Sequence, residues 1–212
     1  MNFSQFYDML NIAKEEEMKE IEILVSFDNS KEEVLKILEK FDFIKEKELY
    51  DMYFFDELRD NLKPEPNLRV NELFRVRKLG SECLITYKKN HFEKNRWIYS
   101  DEYETKVENY EMMKKIVKML GLELLITVHN KRKIYHYQDY EICLEEVEDL
   151  GLFLEVERMA EEESDASEIK QEIRNFIKQL GLKNIRELDF GKNQLMLRKK
   201  YQREDIDIYV ES

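Results

Sequence analysis

The sequence predicts an α+β fold in which amphipathic helices pack on an antiparallel β-sheet that closes, or nearly closes, on itself. Three observations support this prediction. About eight segments alternate apolar and polar residues with a period of two, as strands do. Segments with the period of an amphipathic helix interrupt them. Only five glycines and two prolines break the chain, so most of it is regular structure with short turns.

Four segments have the pattern of amphipathic helices. Residues 2–17 place Phe3, Phe6, Tyr7 and Leu10 on one side. Residues 28–41 begin at a helix cap, Asn29 or Ser30, and carry a buried stripe. The helices in residues 107–122 and 166–182 each end at a glycine, Gly121 and Gly181, which is typical of a helix C-terminus.

The predicted strands lie between these helices. A single proline-rich connection, "NLKPEPN", separates the second strand from the third. The strands are expected at residues 18–27, 48–56, 68–79, 82–89, 98–106, 122–137, 139–146 and 152–159.

Charge and composition exclude several classes of protein. The net charge of −12 repels nucleic acid and anionic lipid at long range, so an anionic ligand requires a local basic pocket, helped by a cation. The N-terminus has neither the basic start nor the apolar stretch of a signal peptide, and no apolar run is long enough to span a membrane, so we expect a cytoplasmic protein. Cys83 and Cys143 fall on faces of opposite character, which predicts free thiols.

Charged residues recur in pairs on one face of several predicted strands, with apolar residues on the other face. The pairs include Glu20 and Glu22 in "EIEILV", Arg75 and Arg77 in "FRVRK", Glu102 and Glu104 in "EYETK", Glu141 and Glu145 in "YEICLEE", and Glu155 and Glu157 in "FLEVE". A solvated outer face explains any one pair. Charged faces on five strands leave two arrangements open: they point outward around an apolar core, or they line the inside of a barrel whose apolar outside the helices cover.

The segments resemble a known family. "EIEILVSF", "YDMYFFD", "LFRVRK", "LITYKK", "EYETKV", "KRKIYHY" and "ICLEEVEDLGLFLEVE" occur in the order seen in the CYTH, or triphosphate tunnel, superfamily. The most specific part, "CLEEVEDLGLFLEVE", is similar to the family's D-x-V-x-x-LG-x-F-x-E-x-E stretch, and "EIE" resembles the start of its ExExK signature. "RWIYSDEYET" and "NKRKIYHYQDYEICLEEVEDLG" resemble the class IV adenylyl cyclase branch most.

This resemblance implies an eight-stranded antiparallel barrel whose polar interior binds a nucleoside triphosphate or another triphosphate. Arg and Lys would clamp the phosphates, and carboxylates would hold Mg²⁺ or Mn²⁺. It also implies an N-terminal helical extension at 1–17, a tunnel-barrel domain at 18–160, and a C-terminal helix and tail at 161–212 that pack on the barrel. The extension is expected either to plug one tunnel mouth or to support a homodimer.

The resemblance also assigns roles to residues at matching positions. The catalytic candidates are Glu20, Glu22 and Arg132. The triphosphate-binding candidates are Arg75, Arg77, Lys88, Lys131 and Arg132. The metal candidates are Glu22, Glu145, Glu155 and Glu157, where Glu145 stands at an aspartate position of the family. Glu102 and Glu104 match a mid-barrel acidic pair without an assigned role.

One position departs from the family pattern. The signature lysine is replaced by Leu24, which cannot donate a hydrogen bond. Either another basic residue, Lys19, Lys106 or Lys131, compensates, or activity is weakened or lost. Three functions therefore stay open: a class IV adenylyl cyclase-like enzyme that converts ATP to cyclic AMP and pyrophosphate, an inorganic or organic triphosphatase (thiamine triphosphatase-like ones included), and a non-catalytic binder of nucleotides or polyphosphate.

Overall fold

The computed structural model describes residues 18–93, 96–161 and 163–210, so the helix predicted at residues 2–17 lies outside the described residues. Nine strands are found in the described residues. They are β1 (Met18–Ser26), β2 (Asp42–Phe55), β3 (Glu72–Leu79), β4 (Glu82–Glu93), β5 (Arg96–Val107), β6 (Glu123–Tyr137), β7 (Tyr140–Val147), β8 (Gly151–Glu161) and β9 (Arg186–Leu188).

Eight of these strands form a closed antiparallel barrel. The strand order is β5-β4-β3-β2-β6-β7-β8-β1, and β1 pairs with β5 to complete the circle, with Glu20 opposite Ser100. The short strand β9 adds to β1 near its end, where Leu24 lies opposite Leu188. The closed eight-stranded barrel that the sequence predicted is therefore confirmed.

Four α-helices accompany the barrel in the described part of the chain: α1 (Lys31–Leu38), α2 (Tyr110–Met119), α3 (Ala166–Gln179) and α4 (Lys192–Lys200). Ser30 caps α1 through a capping box, in which its hydroxyl accepts from the Glu33 N–H and its own N–H donates to the Glu33 carboxylate. Gly121 and Gly181 follow α2 and α3 with φ of 85° and 81°, as the sequence predicted for two helix ends. None of the helices in these ranges is both long and apolar enough to cross a membrane.

The outer face of the barrel is apolar and lies under helices. Ile21, Ile23 and Val25 of β1 are almost fully buried in a cluster with side chains of α1 and α3, such as Val34 and Ile173. Burying side chains of this size stabilises the fold by about 1.5–3 kcal/mol each. Because successive side chains of a strand point to opposite faces, the alternate residues of β1 face the barrel interior. The inward orientation of the charged faces is thus the correct one of the two arrangements.

One end of the barrel, the plugged end, is filled with apolar side chains. Inner residues of five strands meet there with Leu195 and Leu197 of α4. These inner residues are Leu24, Tyr53, Leu73, Val128 and Phe153. The C-terminal helix therefore closes one end of the tunnel.

Several strand bounds differ from the prediction: β3 begins four residues later, β4 ends four residues later, and β2 begins six residues earlier. β2 begins at Asp42 rather than at residue 48, and its first five residues are exposed. An exposed strand end has no apolar alternation, so the sequence of this stretch does not show it. β9 was not predicted, because three residues are too few to show a period.

Both cysteines are buried and free, as predicted, and they lie on opposite faces of the barrel wall. Cys83 packs in the apolar cluster under α2. Cys143 lies on the inner side of β7, opposite Glu155 of β8.

Candidate functional site

A chamber of about 210 Å³ occupies the barrel interior. One water molecule needs roughly 10–15 Å³ of such space, so this chamber has room for a ligand. Its charged lining residues come from β1, from five other barrel strands and from the start of α4. They are Glu20, Glu22, Arg75, Arg77, Lys88, Glu102, Glu104, Arg132, Glu155, Glu157 and Lys192. Every predicted site residue except Lys131 and Glu145 lines this chamber.

Two arginines of β3 are held in place by Asp51 of β2. Arg77 makes a bidentate contact, with Nε and Nη2 each 2.7 Å from an Asp51 carboxylate oxygen. Arg75 donates to the Thr86 hydroxyl at 2.9 Å and to Glu104 at 3.2 Å. Burial opposes the ionised form of Asp51, but Arg77 and Arg75 outweigh it and lower the pKa of its carboxyl. The two guanidinium groups are therefore pre-oriented side by side on one wall.

Lys88 joins the carboxylates of β1 and β5. Its Nζ lies 2.7 Å from Glu102, 3.2 Å from Glu20 and 3.4 Å from Glu22. Burial disfavours the charged amine, but these three carboxylates together hold the pKa of Lys88 well above its usual value. The same contact with Lys88, added to that of Arg75, lowers the pKa of Glu102 to about 2 despite its burial. Lys88 is therefore a permanent cation, and Glu102 neutralises much of its charge.

A second charged cluster combines Arg132, Lys192, Glu145 and Glu155. Arg132 Nη2 lies 2.5 Å from Glu145 and 2.7 Å from Glu155. Lys192 Nζ lies 3.0 Å from Glu145 and 2.5 Å from Glu155. Glu145 has no exposed surface, and it also accepts from the Asn130 amide. Two cations and two carboxylates thus share one buried site, which balances its charge.

Arg132 keeps unused donor capacity in this cluster. Its Nε is buried and has no hydrogen-bond partner among the described residues. A buried guanidinium nitrogen without an acceptor is costly, so an anion in the chamber that accepts from it would stabilise the site.

Three other carboxylates are crowded together, and Lys88, which contacts two of them, is shared with Glu102. Oxygens of Glu20, Glu22 and Glu157 lie within 4.8 Å of one another. Burial, and then the neighbouring Glu102, raises the pKa of Glu20 to about 8. Burial, followed by the charges of Glu20 and Glu141, raises the pKa of Glu157 well above its usual value. Carboxylate oxygens crowded in this way are the ligands that Mg²⁺ and Mn²⁺ prefer, so this triad fits a divalent cation.

A second group with ligand atoms at similar spacing contains Cys143, Glu145 and Glu155. Both of its carboxylates already contact Arg132 and Lys192. Glu145 and Glu155, predicted as metal ligands, therefore lie in the cation cluster, while Glu22 and Glu157 lie in the triad. The four residues that were predicted to bind one metal therefore lie in two separate clusters.

Several basic residues named from the sequence lie away from the chamber. Lys131 is exposed, because it precedes the inward Arg132 on β6 and so faces outward. Lys19 donates to the Ser164 carbonyl, and Lys106 is 72% exposed beside Glu82. Lys19, Lys106 and Lys131 therefore do not take the place of the signature lysine, since none of them lines the chamber.

Leu24, at that lysine position, lines the chamber from the plugged end and is only 2% exposed. The cation near it comes instead from Lys192, whose contact partner Glu155 lies opposite Leu24 in the β1–β8 register. Lys192 was not predicted as a site residue from the sequence. The only signal for it is a lysine directly after Gly191 at the start of a short helix, and its nearness to β7 and β8 depends on how α4 docks.

Comparison with known proteins agrees with this architecture. The family model described as CYTH domain matches residues 18–189. The chain belongs to the CYTH family. The CYTH match includes β9 and ends before α4, so Lys192 lies just beyond it.

Three proteins similar to this CYTH chain come from Methanocaldococcus jannaschii and Pyrococcus horikoshii. A Methanocaldococcus jannaschii protein provisionally named adenylate cyclase MJ0240 is 32% identical over 167 residues, covering 78% of this chain and 91% of that protein. The PH1012 protein of Pyrococcus horikoshii is 30% identical with a TM-score of 0.63, covering 78% and 92%. The PH1819 protein of the same organism has the same fold at 24% identity, with a TM-score of 0.71 and coverage of 85% and 99%. Membership of the CYTH family and the CYTH fold are therefore established for this chain.

Proposed function

We propose that this CYTH protein is a metal-dependent enzyme resembling class IV adenylyl cyclases, which converts ATP to cyclic AMP and pyrophosphate. The observation that supports the proposal is the pairing, in one chamber, of Arg75, Arg77 and Arg132 with the crowded acidic triad. The arginines would bind phosphate oxygens, for which guanidinium groups are well shaped. The name of the 32% identical relative points to the same activity.

Each group of residues has a role in this proposal. Arg75, Arg77, Lys88, Arg132 and Lys192 would hold the triphosphate chain and neutralise its charge. Glu20, Glu22 and Glu157 would hold Mg²⁺ or Mn²⁺, which when bound polarises phosphate oxygens and offsets the charge of the leaving group. The ribose 3′-oxygen would bond to the α-phosphorus, the α–β bridging bond would break, and the hydroxyl proton would pass to a carboxylate of the triad.

A triphosphatase is the second candidate, because the same cations would bind a triphosphate when water is the nucleophile. A non-catalytic binder is less well supported. Its main argument was the absent signature lysine, and Lys192 supplies a cation near that position.

A product assay distinguishes the three functions. The protein is incubated with ATP, tripolyphosphate or thiamine triphosphate and with Mg²⁺ or Mn²⁺, and the products are separated. A cyclase yields cyclic AMP and pyrophosphate in equal amounts. Release of inorganic phosphate without cyclic AMP would instead identify a triphosphatase, and binding without any product would identify a binder.

We expect Arg75→Ala to weaken tripolyphosphate binding by about 10- to 100-fold, because charged hydrogen bonds contribute roughly 1.5–3 kcal/mol. Mn²⁺ binding should change much less, because the carboxylates that Arg75 contacts in the described residues are Asp51, Glu102 and Glu104 and not those of the triad. Isothermal titration with each ligand separately measures both constants. Arg203→Ala, which removes an exposed arginine paired with Asp205, is the control. Equal losses for the metal and the polyphosphate would contradict the assignment of Arg75.

A further inference from the structure

One part of the chamber wall is aromatic rather than charged. Phe92 and Trp97 are cross-strand partners at the ends of β4 and β5, both half-buried, and both line the chamber. Lys88 and Asn90 precede Phe92 on β4 and line the same chamber, so the aromatic pair continues the wall beyond Lys88. Lys88 Nζ lies 5.8 Å from the Trp97 ring centroid, which places the charged and aromatic parts next to each other.

The Trp97 ring is fixed by its surroundings. Its indole N–H donates to the Tyr99 carbonyl at 3.1 Å and to the Ser100 hydroxyl at 2.9 Å. The Ser100 hydroxyl donates in turn to Asn90 at 2.8 Å. Lys170 of α3, which is 4% exposed, lies 4.5 Å from the ring centroid and donates to the Trp97 carbonyl. An aromatic ring held this firmly is a preorganised surface for stacking.

Two side-chain amides at the start of α4 line the same chamber. Asn193 and Gln194 are each 7% exposed. The Gln194 carbonyl accepts from the Gly191 N–H at 2.9 Å. Both side chains line the chamber, where an amide can donate and accept hydrogen bonds. This part of the chamber wall therefore suits a ligand that itself both donates and accepts hydrogen bonds.

Gly191 is required for this placement of Asn193. A Cβ at position 191 would lie 2.8 Å from the Asn193 side-chain oxygen. A glycine here therefore lets the amide fold back over the start of the helix. Together with the aromatic pair, this makes a site with one stacking surface and two amides.

We propose that Phe92, Trp97, Asn193 and Gln194 bind the heteroaromatic base of a nucleoside triphosphate whose phosphates lie among the chamber cations. The inference rests on the proposed function, and it makes the substrate a nucleotide rather than inorganic triphosphate. An aromatic ring stacks on any base. A side-chain amide donates and accepts at once, which matches the adjacent donor and acceptor on the edge of a base.

Binding of ATP and of tripolyphosphate, measured side by side, tests the proposal. Isothermal titration is done with Ca²⁺ in place of Mg²⁺ to slow turnover. Phe92→Leu is expected to weaken ATP binding by about 5- to 100-fold, the range for loss of base stacking. Asn193→Ala is expected to weaken it about 3- to 10-fold, the range for a neutral hydrogen bond. Tripolyphosphate binding should stay within about twofold in both variants, because only phosphate contacts serve that ligand.

Matched controls are Phe43→Ala, which removes a 55% exposed aromatic residue of β2, and Asn175→Ala, on the exposed face of α3. Thermal melts check that each variant folds. If Phe92→Leu does not fold, Asn193→Ala still tests the base site. Equal losses for both ligands, or unchanged ATP binding, would overturn the base site while leaving triphosphate binding intact. If the unmodified protein bound neither ligand, the proposed function itself would fail.

Discussion

Replacing Lys192 with methionine is expected to lower the free energy of unfolding by about 3–5 kcal/mol, the usual loss when one partner of a buried ion pair is removed. Glu145 and Glu155 are almost completely buried and share Arg132 and Lys192 as their cations. After the change, one arginine would face two carboxylates, so one negative charge would stay unbalanced. Methionine keeps the length of the apolar stem, which limits the effect to the charge.

Urea denaturation at pH 7 measures this change. The control is Lys199→Met on the same helix, whose amine pairs with the exposed Asp149. Exposed pairs contribute about 0–1 kcal/mol, so this variant should be nearly as stable as the unmodified protein. Similar stability losses in the two variants would show that Lys192 is an ordinary surface lysine.

Lys192→Met should also weaken tripolyphosphate binding, because it removes one of the chamber cations. The expected loss is about 10- to 100-fold for one charged hydrogen bond. Titration at two salt concentrations distinguishes this from unfolding. A folded variant that binds tripolyphosphate as tightly as the unmodified protein would exclude Lys192 from the phosphate site.

Glu155→Gln and Glu157→Gln are expected to change stability in opposite directions. Burial opposes the ionised form of Glu155, but Lys192 and Arg132 outweigh it and lower the pKa of this carboxyl. Neutralising Glu155 leaves these cations underpaired, with an expected loss of about 3–5 kcal/mol. Glu157 is held among carboxylates, so the metal-free Glu157→Gln protein should gain about 1–3 kcal/mol at pH 8.

The pH dependence of the metal-free protein should follow from the same crowding. The pKa of Glu20 is raised from 4.5 to about 8, so the folded state holds this proton more tightly than the unfolded state. Stability is therefore greatest below about pH 4.5 as far as this group is concerned, and it falls as the pH rises toward 8. Because Glu157 contributes to the crowding, Glu157→Gln should make this fall shallower.

Thermal melts in chelator and in Mn²⁺, at pH values from 5 to 8, test both statements. Mn²⁺ should raise the melting temperature of the unmodified protein most at the high end of this range, where the triad is ionised. Its effect should be much smaller in Glu157→Gln. If the two glutamate variants lost stability equally, or if Mn²⁺ acted alike on both, the separation of Glu155 from Glu157 would be wrong.

The strands and helix ends could be predicted because they depend on neighbouring residues, and the family resemblance implied that the strands close into a barrel. The alternation in β1 puts Glu20 and Glu22 on one face and Ile21 and Ile23 on the other, and this holds for any sheet. Capping at Ser30 and the glycine after α2 are equally local features. The site residues on β3, β4, β5 and β8 were predicted from strand alternation and from the family motifs. They lie together because the closed barrel brings these strand faces to one chamber.

The partners of those residues could not be predicted in this way. Glu155 and Glu157 are the same residue type on the same face of one strand, so the sequence does not distinguish them. In the structure, Glu155 lies between Arg132 and Lys192, whereas Glu157 lies among carboxylates. The difference depends on which strand lies across the barrel and on where α4 docks.

Alternation along a strand therefore determined which side chains face inward, since it follows from backbone geometry alone. The tertiary structure decided what each inward charge meets. It placed Leu24 at the plugged end of the barrel. It also brought Lys192, 168 positions later in the sequence, into contact with Glu155, which lies opposite Leu24. Charge balance in a buried chamber is a property of all its walls at once, so no single stretch of sequence carries it.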